Sequence, residues 1–349
     1  MRTQSYRSYI HRKIWFIAAL AVLSVLTALF SLQAGSADLS FRDIFSALMG
    51  NGTEKTAAVI WNIRMPRIAA AAVGGFGLAI VGCVMQCILK NPLASSSTLG
   101  VSQGAAFGAS FAIICLGAGT QGGTMESLII QNPYLVSICA FVSSMLSTLM
   151  ILSLSRLRKV SAESLVLCGV ALSSMFSGAT TLLQYFADDV KLTAVVFWTF
   201  GDLGRASWKE IGIMSAVVFL SLLYFYWNRW NYNALQNGEY TAKGLGVRVD
   251  SVRIVGMFLC SLTASVIVSF VGIIHFIGLI APHLVRRFTG SDSRYLLPAS
   301  ALAGTVLLLV SDAAARLVLS PMILPIGAIT SFCGAPLFLY ILFKGVRKN

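Results

Sequence analysis

The feature that most constrains this chain is the recurrence of apolar stretches of bilayer length, joined by mostly short polar connections. They run near residues 14–34, 67–89, 99–118, 134–155, 164–187, 210–228, 254–274, 276–288, 296–319 and 323–343. Crossing a bilayer takes about 20 apolar residues in a helix, and inside hydrocarbon only a helix or a closed barrel satisfies its own backbone. Continuous apolar runs without strand-like alternation predict helices, hence an all-α polytopic membrane protein. Composition agrees: 57% of residues are hydrophobic and 11% charged, against about 25% charged in soluble domains. A formal charge of +13 raises the question of nucleic acid, but the basic residues are scattered through connections and form no basic face. Nucleic acid is therefore not expected as a partner, and a bias of positive charge toward the cytoplasm explains the excess.

Window 254–288 is too long for one crossing and too short for two complete ones, with Gly272, Gly278 and Pro282 offering a break. Charge decides the count. If the N-terminus is cytoplasmic and all ten windows cross, 18 of the 26 basic residues and 4 of the 13 acidic ones face the cytoplasm. A single crossing would instead put Arg286, Arg287, Arg294, Lys344, Arg347 and Lys348 outside. About ten transmembrane helices with both termini cytoplasmic are thus expected, forming one membrane domain over 1–349 in the cell membrane. The run from Ile14 to Leu32, after Arg2, Arg7, Arg12 and Lys13, exceeds a signal-peptide core of about 7–15 residues, so it reads as an uncleaved first span.

The seven cysteines lie in or beside apolar runs and read as small apolar filler. Cys83 and Cys87 share a helical face, but no further ligands accompany them, and no metal site is expected. There is no Gly-x-x-x-x-Gly-Lys-Ser/Thr loop, so ATP is not held in a P-loop of this chain. No His-Glu-x-x-His, paired intramembrane acids or Ser/His dyad points to an intramembrane enzyme. Asp312 is an acid inside an apolar span, which makes it a functional suspect; it is the weak basis for an ion-coupled secondary transporter. Arg316 lies at i+4 from it, so a local ion pair is the simpler reading.

Several motifs together carry more. Arg64-Met-Pro-Arg67 opens the second span, Asn91-Pro-Leu-Ala94 closes it, and Leu99-Gly-Val-Ser-Gln-Gly-Ala105 follows. Later come Gly278-Leu-Ile-Ala-Pro-His283, Arg286-Arg287-Phe-Thr-Gly290, Ser311-Asp-Ala-Ala-Ala-Arg316, Leu324-Pro-Ile-Gly327 and Gly334-Ala-Pro336. Taken together, the chain resembles the FecCD-type ABC importer permeases, which carry iron-siderophores, haem and cobalamin. The resemblance implies ten helices, the second to fifth and seventh to tenth related by an inverted pseudo-repeat, a common transporter plan. It implies a dimer with a second copy or a paralogue, cytoplasmic ATP-binding subunits that hold ATP and Mg, an extracytoplasmic substrate-binding protein, and no cofactor bound by this chain itself. Ferric siderophore is the expected cargo, with cobalamin or haem as alternatives.

Carried over by motif position, Arg64, Arg67 and Arg316 dock carboxylates of the binding protein, although interfacial snorkelling alone would explain Arg64 and Arg67. Residues 234–247 are too polar to span and too regular for a plain linker. Within an element at about 232–252, the resemblance assigns Leu235, Gly238, Glu239, Ala242, Leu245, Gly246 and Val247 to coupling helices that engage the ATPase. Asn91 and Leu93 fall at the cytoplasmic gate, where helix termination by Pro92 is the simpler account. Two departures stand out: Ser95-Ser96-Ser97 replaces the usual acid and proline after Pro-Leu-Ala, and Ile323 stands where the family commonly has Glu. Glycines and alanines of the second span, among them Gly74, Gly75, Gly77 and Gly82, predict close helix packing without any substrate.

Overall fold

The computed structural model describes residues 2–35, 41–118, 132–157 and 162–346. Arg347 and Lys348 of the charge argument lie outside the described residues. Each of the ten apolar windows holds a helix: α1 (Arg2–Gln33), α4 (Met65–Ile88), α5 (Val101–Ile114), α6 (Pro133–Leu157), α7 (Ala162–Tyr185), α9 (Trp208–Trp227), α12 (Val249–Val271), α13 (Ile277–Thr289), α14 (Ser293–Leu317) and α15 (Ile326–Val346). Among the described residues, seven helices are long and apolar enough to cross a membrane, one of them the continuous run Glu54–Ile88, and α5 and α15 are shorter apolar helices. At about 1.5 Å per residue, α13 extends only about 20 Å.

Five further short helices join them: α2 (Phe41–Leu48), α3 (Glu54–Val59), α8 (Asp189–Thr199), α10 (Arg229–Gln236) and α11 (Glu239–Gly244). Helix α8 begins at the acidic pair Asp188-Asp189. Asp188 caps it, its carboxylate accepting from the Lys191 amide at 2.9 Å, a favoured N-terminal arrangement.

The two halves share a plan. In each, a long helix (α4, α12) meets an interruption, a short helix follows (α5, α13), and two longer helices complete the set (α6 and α7, α14 and α15). Gly100 ends the first interruption at φ +75° and Phe276 the second at φ +65°. Broken helices at membrane depth are tolerated where protein encloses the freed backbone, and here both breaks lie against α4 and its neighbours.

Helix α4 forms the middle of the bundle, packed against α9, α12, α13 and α14. Its glycines explain why. A Cβ on Gly82 would fall 1.7 Å from the Gly278 carbonyl oxygen, and one on Gly75 2.4 Å from that of Gly304. The backbones of α4, α13 and α14 therefore touch, which only hydrogen side chains permit. Gly82→Val is expected to abolish the monodisperse folded species in size-exclusion chromatography. Gly178→Ala on α7, where nothing lies within 4 Å of the added carbon, should behave like the parent; equal behaviour of the two variants would refute this packing.

Helix α1 sits at the perimeter: residues such as Trp15, Val22, Val25 and Phe30 are exposed, as a lipid-facing helix requires.

Candidate functional site

The two ends of the bundle differ in chemistry. One end gathers the C-terminal end of α1, the start of α4, the end of α14 and the turn at 200–206. There the three arginines singled out from the sequence come together, but not as exposed side chains: Arg64, Arg67 and Arg316 are 5%, 7% and 8% exposed.

Each has internal partners. Arg67 Nε donates to Asp312 Oδ1 at 2.8 Å, and its Nη1 lies 3.3 Å from Asp202 Oδ1. Arg316 Nε lies 3.0 Å from Asp312 Oδ2 without hydrogen-bond alignment. Asp312 is fully buried between the two guanidinium groups. Arg64 donates to the Leu32 and Gln33 carbonyls, and Arg316 to those of Ser31 and Ala34. Two arginines thus cap the C-terminus of α1, where orphan carbonyls and the negative end of the helix dipole favour cations.

The expected Asp312–Arg316 pair is present, and Arg67 extends it to a triad. Burial of an acid between two cations leaves no free carboxylate to relay an ion, which weighs against the secondary-transporter reading of Asp312. Sequence reasoning missed Asp202 and the Arg67–Asp312 bond, because partners 245 residues apart carry no local spacing signal. The same three arginines, with Gly35, Val59, Ile63, Pro321 and Ile323, line a cleft of about 220 Å³. Arg67 and Arg316 share the buried Asp312, and Asp202, beside Arg67, is half exposed.

At the opposite end, residues 229–247 fold as α10 and α11, perched on the bundle. Gly238 at φ +127° separates them, its amide donating to Leu235 O. Leu235 and Ala242 are buried, whereas Tyr240 and Leu245 project outward. Helix α11 ends in a Schellman turn: Gly246, at φ +81°, donates to Lys243 O, and Val247 N–H reaches Ala242 O at 3.0 Å. That geometry favours glycine at Gly246.

Both short helices are tied to the bundle by side chains. Glu239 pairs with Arg253 of α12 at 3.1 Å and with Lys243 at 3.3 Å. The Arg253 hydrogen bond holds the Glu239 carboxyl below its ordinary range. Gln236 Nε2 donates to Cys87 Sγ of α4 at 3.1 Å. Asn233 bridges to the start of α14, donating to Asp292 Oδ1 and accepting from Ser293 N. Side-chain bonds thus join α10 and α11 to α4, α12 and the start of α14.

Asn91 and Leu93 lie at the same end, beyond α4. Asn91 Oδ1 accepts from the Leu93 amide at 2.9 Å, closing an Asx turn, and Leu93 is exposed. Termination by Pro92 explains that local geometry. Ser96–Leu99 then form a 3-10 turn with Ser95 and Thr98 as its capping box, so the serines replacing the usual acid and proline build a turn of their own. Cys83 and Cys87 are buried free thiols. Among the described residues, no group of three or more His, Cys, Asp or Glu could hold a metal.

Comparison with known proteins agrees with this architecture. Residues 22–344 match the FecCD transport family. A chain of Methanocaldococcus jannaschii designated an ABC transporter permease protein is 51% identical over 345 residues, covering 99% of each chain. The hemin transport system permease protein of Yersinia pestis is 33% identical over 326 residues, 93% of this chain and 94% of the relative. A solved chain described as a metal-chelate type ABC transporter, in an inward-facing conformation, superposes with a TM-score of 0.80 at 30% identity, covering 95% of this chain and 99% of that one. With the match running from the first long helix to the last and the bundle superposing throughout, this chain belongs to the FecCD transport family.

Proposed function

We propose that this chain is the membrane-spanning permease subunit of a binding-protein-dependent ABC importer, a single domain over 1–349 working in the cell membrane with both termini cytoplasmic. The observation that carries the reading is the family match over residues 22–344 in a chain without a phosphate-binding loop. Energy then comes from separate ATP-binding subunits, which hold ATP and Mg. A second permease copy or paralogue completes the path. The end bearing α10 and α11 is cytoplasmic, and these helices, with the exposed Tyr240 and Leu245, fit an ATPase groove. The cleft end faces outward toward a substrate-binding protein.

The cargo is a ferric siderophore or a related iron complex. The metal-chelate description of the structural relative supports this class. Haem carriage by the Yersinia pestis relative supports an iron-bearing ring as the second candidate.

Docking follows from the three arginines that line the cleft. An acidic side chain of the binding protein enters between Arg64, Arg67 and Arg316 and supplies a further anion. Guanidinium suits this role, since its planar donors match a carboxylate. The exposed Ile323 lies on the cleft lining, where a Glu would have introduced an acid beside the arginines.

The test is binding-protein affinity for the permease in nanodiscs. Affinity is expected to fall as salt rises, to drop at least tenfold in Arg64→Glu, and to recover in part when the partner carboxylate is reversed. Unchanged affinity in Arg64→Glu and Arg67→Glu, with the ATPase still assembled, would remove the docking role. Uptake of a radioactive ferric complex by vesicles holding the whole complex tests the cargo. No ATP-dependent uptake of ferric siderophore, but uptake of cobalamin, would overturn the iron reading.

A further inference from the structure

Lys13 is 5% exposed, yet among the described residues it has no carboxylate within ion-pair distance and no hydrogen-bond acceptor. Its ammonium instead lies 4.3 Å from the ring centroid of Tyr9 and 5.0 Å from that of Tyr295. It faces the turn between α13 and α14: a Cβ on Gly290 would come within 3.7 Å of Lys13 Nζ and 3.6 Å of Tyr9 Oη. Buried charges are ordinarily paired, because an ammonium removed from water without a counter-charge is costly. The π faces recover part of that cost, and the ammonium, open to its surroundings, meets no acceptor among the described residues.

The surroundings are basic and aromatic. Arg294 stacks 4.8 Å from the Trp230 ring and 5.4 Å from that of Tyr295, and Arg229 lies 4.4 Å from the Tyr226 ring. Asp292 is the nearby acid, and it is engaged by Arg294 at 2.7 Å and by Asn233. Exposed Arg12 and Arg287 lie one residue from Lys13 and three from Gly290 respectively. Apolar surface continues from the cation toward the membrane core: Phe16 stacks on Phe288 with ring centroids 4.5 Å apart, and Ile14, Trp15 and Phe288 are exposed.

We propose that Lys13, caged by Tyr9 and Tyr295 at the α13–α14 turn, is the anchor of a binding site for the phosphate of an anionic phospholipid in the leaflet on the α10–α11 side. The phosphodiester accepts from the Lys13 ammonium, Arg12 and Arg287 add positive field at the rim, and one acyl chain lies along Phe16 and Phe288. Position in the molecule favours a lipid over a soluble anion. The cation sits on the peripheral helix α1, at the end where its charged segment meets its apolar run, with exposed aromatics at the level where bilayer interfaces enrich them. Basic pockets between helix ends are a recurring way to hold anionic headgroups. Arg294 and Trp230 connect this site to α10, so the lipid would sit beside the helices proposed to meet the ATPase.

Native mass spectrometry of the purified full-length chain tests the proposal, with phosphatidylglycerol and phosphatidylcholine of identical acyl chains in competition. The parent protein is expected to retain one phosphatidylglycerol at least tenfold in preference to phosphatidylcholine. Lys13→Gln should lose that preference and Lys13→Arg keep it. Equal retention of the two lipids by the parent protein, which needs no variant to fold, would overturn the proposal, as would an undiminished preference in Lys13→Gln. Displacement of phosphatidylglycerol by millimolar inorganic phosphate would also overturn it, by assigning the site to a free anion.

Discussion

Asp312→Ala is expected to destabilise the protein by about 3–5 kcal/mol, the cost of leaving buried guanidinium groups without their counter-charge. The carboxylate holds Arg67 at 2.8 Å and Arg316 at 3.0 Å, and all three side chains are buried. Removing it leaves Arg67 and Arg316 facing one another across a low-dielectric gap. The consequence reaches α1, because Arg316 also caps its carbonyls. Thermal unfolding in detergent, followed by loss of the monodisperse peak, should show a lowered midpoint for Asp312→Ala. Asp312→Asn should fall between, since it keeps an acceptor but not the charge. Asp202→Asn, removing a half-exposed carboxylate 3.3 Å from Arg67, should cost no more than about 1 kcal/mol. If Asp312→Ala melted like the parent protein, the triad would not be the element that joins α4 to α14 at this end.

The second large effect concerns energy coupling. Glu239→Arg should abolish ATP-driven uptake while leaving insertion and folding intact. The substituted cation would face Arg253 and Lys243, the two cations Glu239 now pairs with, and would drive α11 away from α12. Gly246→Arg should do the same by another route. Nothing lies within 4 Å of a Cβ there, but φ is +81°, so the Schellman turn is strained by about 1 kcal/mol and a bulky cation projects from the face proposed to meet the ATPase. The measurement pairs uptake with ATPase activity of the assembled complex: uptake should vanish while hydrolysis continues without response to the binding protein. Uptake at the parent rate with the ATPase still bound would dissociate α10 and α11 from coupling. Acid should mimic Glu239→Arg weakly. Since the pair depresses the Glu239 carboxyl, its contribution is present above the ordinary carboxylate range and is lost as pH falls through the depressed value.

Much of this architecture was legible before any coordinate. The ten apolar windows each contain a helix because burying a peptide group in hydrocarbon leaves the backbone no partner but itself, a demand that apolar runs announce directly. The glycines of α4 announced close packing for a similar reason: a missing side chain is visible in sequence, and the contacts of Gly75 with Gly304 and Gly82 with Gly278 are what it permits. The polar interval at 234–247 stood out against its flanks and holds the end of α10 and the whole of α11.

Side-chain partnership was not legible. Arg64, Arg67 and Arg316 read from sequence as outward-facing cations, yet they are buried, and two of them cap α1. Nothing near residue 67 in the chain indicates that Asp312 lies 2.8 Å away, nor does residue 13 announce Tyr295. Local pattern fixes which segments must be helical and roughly where they end, since those constraints act within a turn or two. Whether a charge is exposed, paired or caged depends on which helix ends meet in space, and that follows from the packing of the whole bundle.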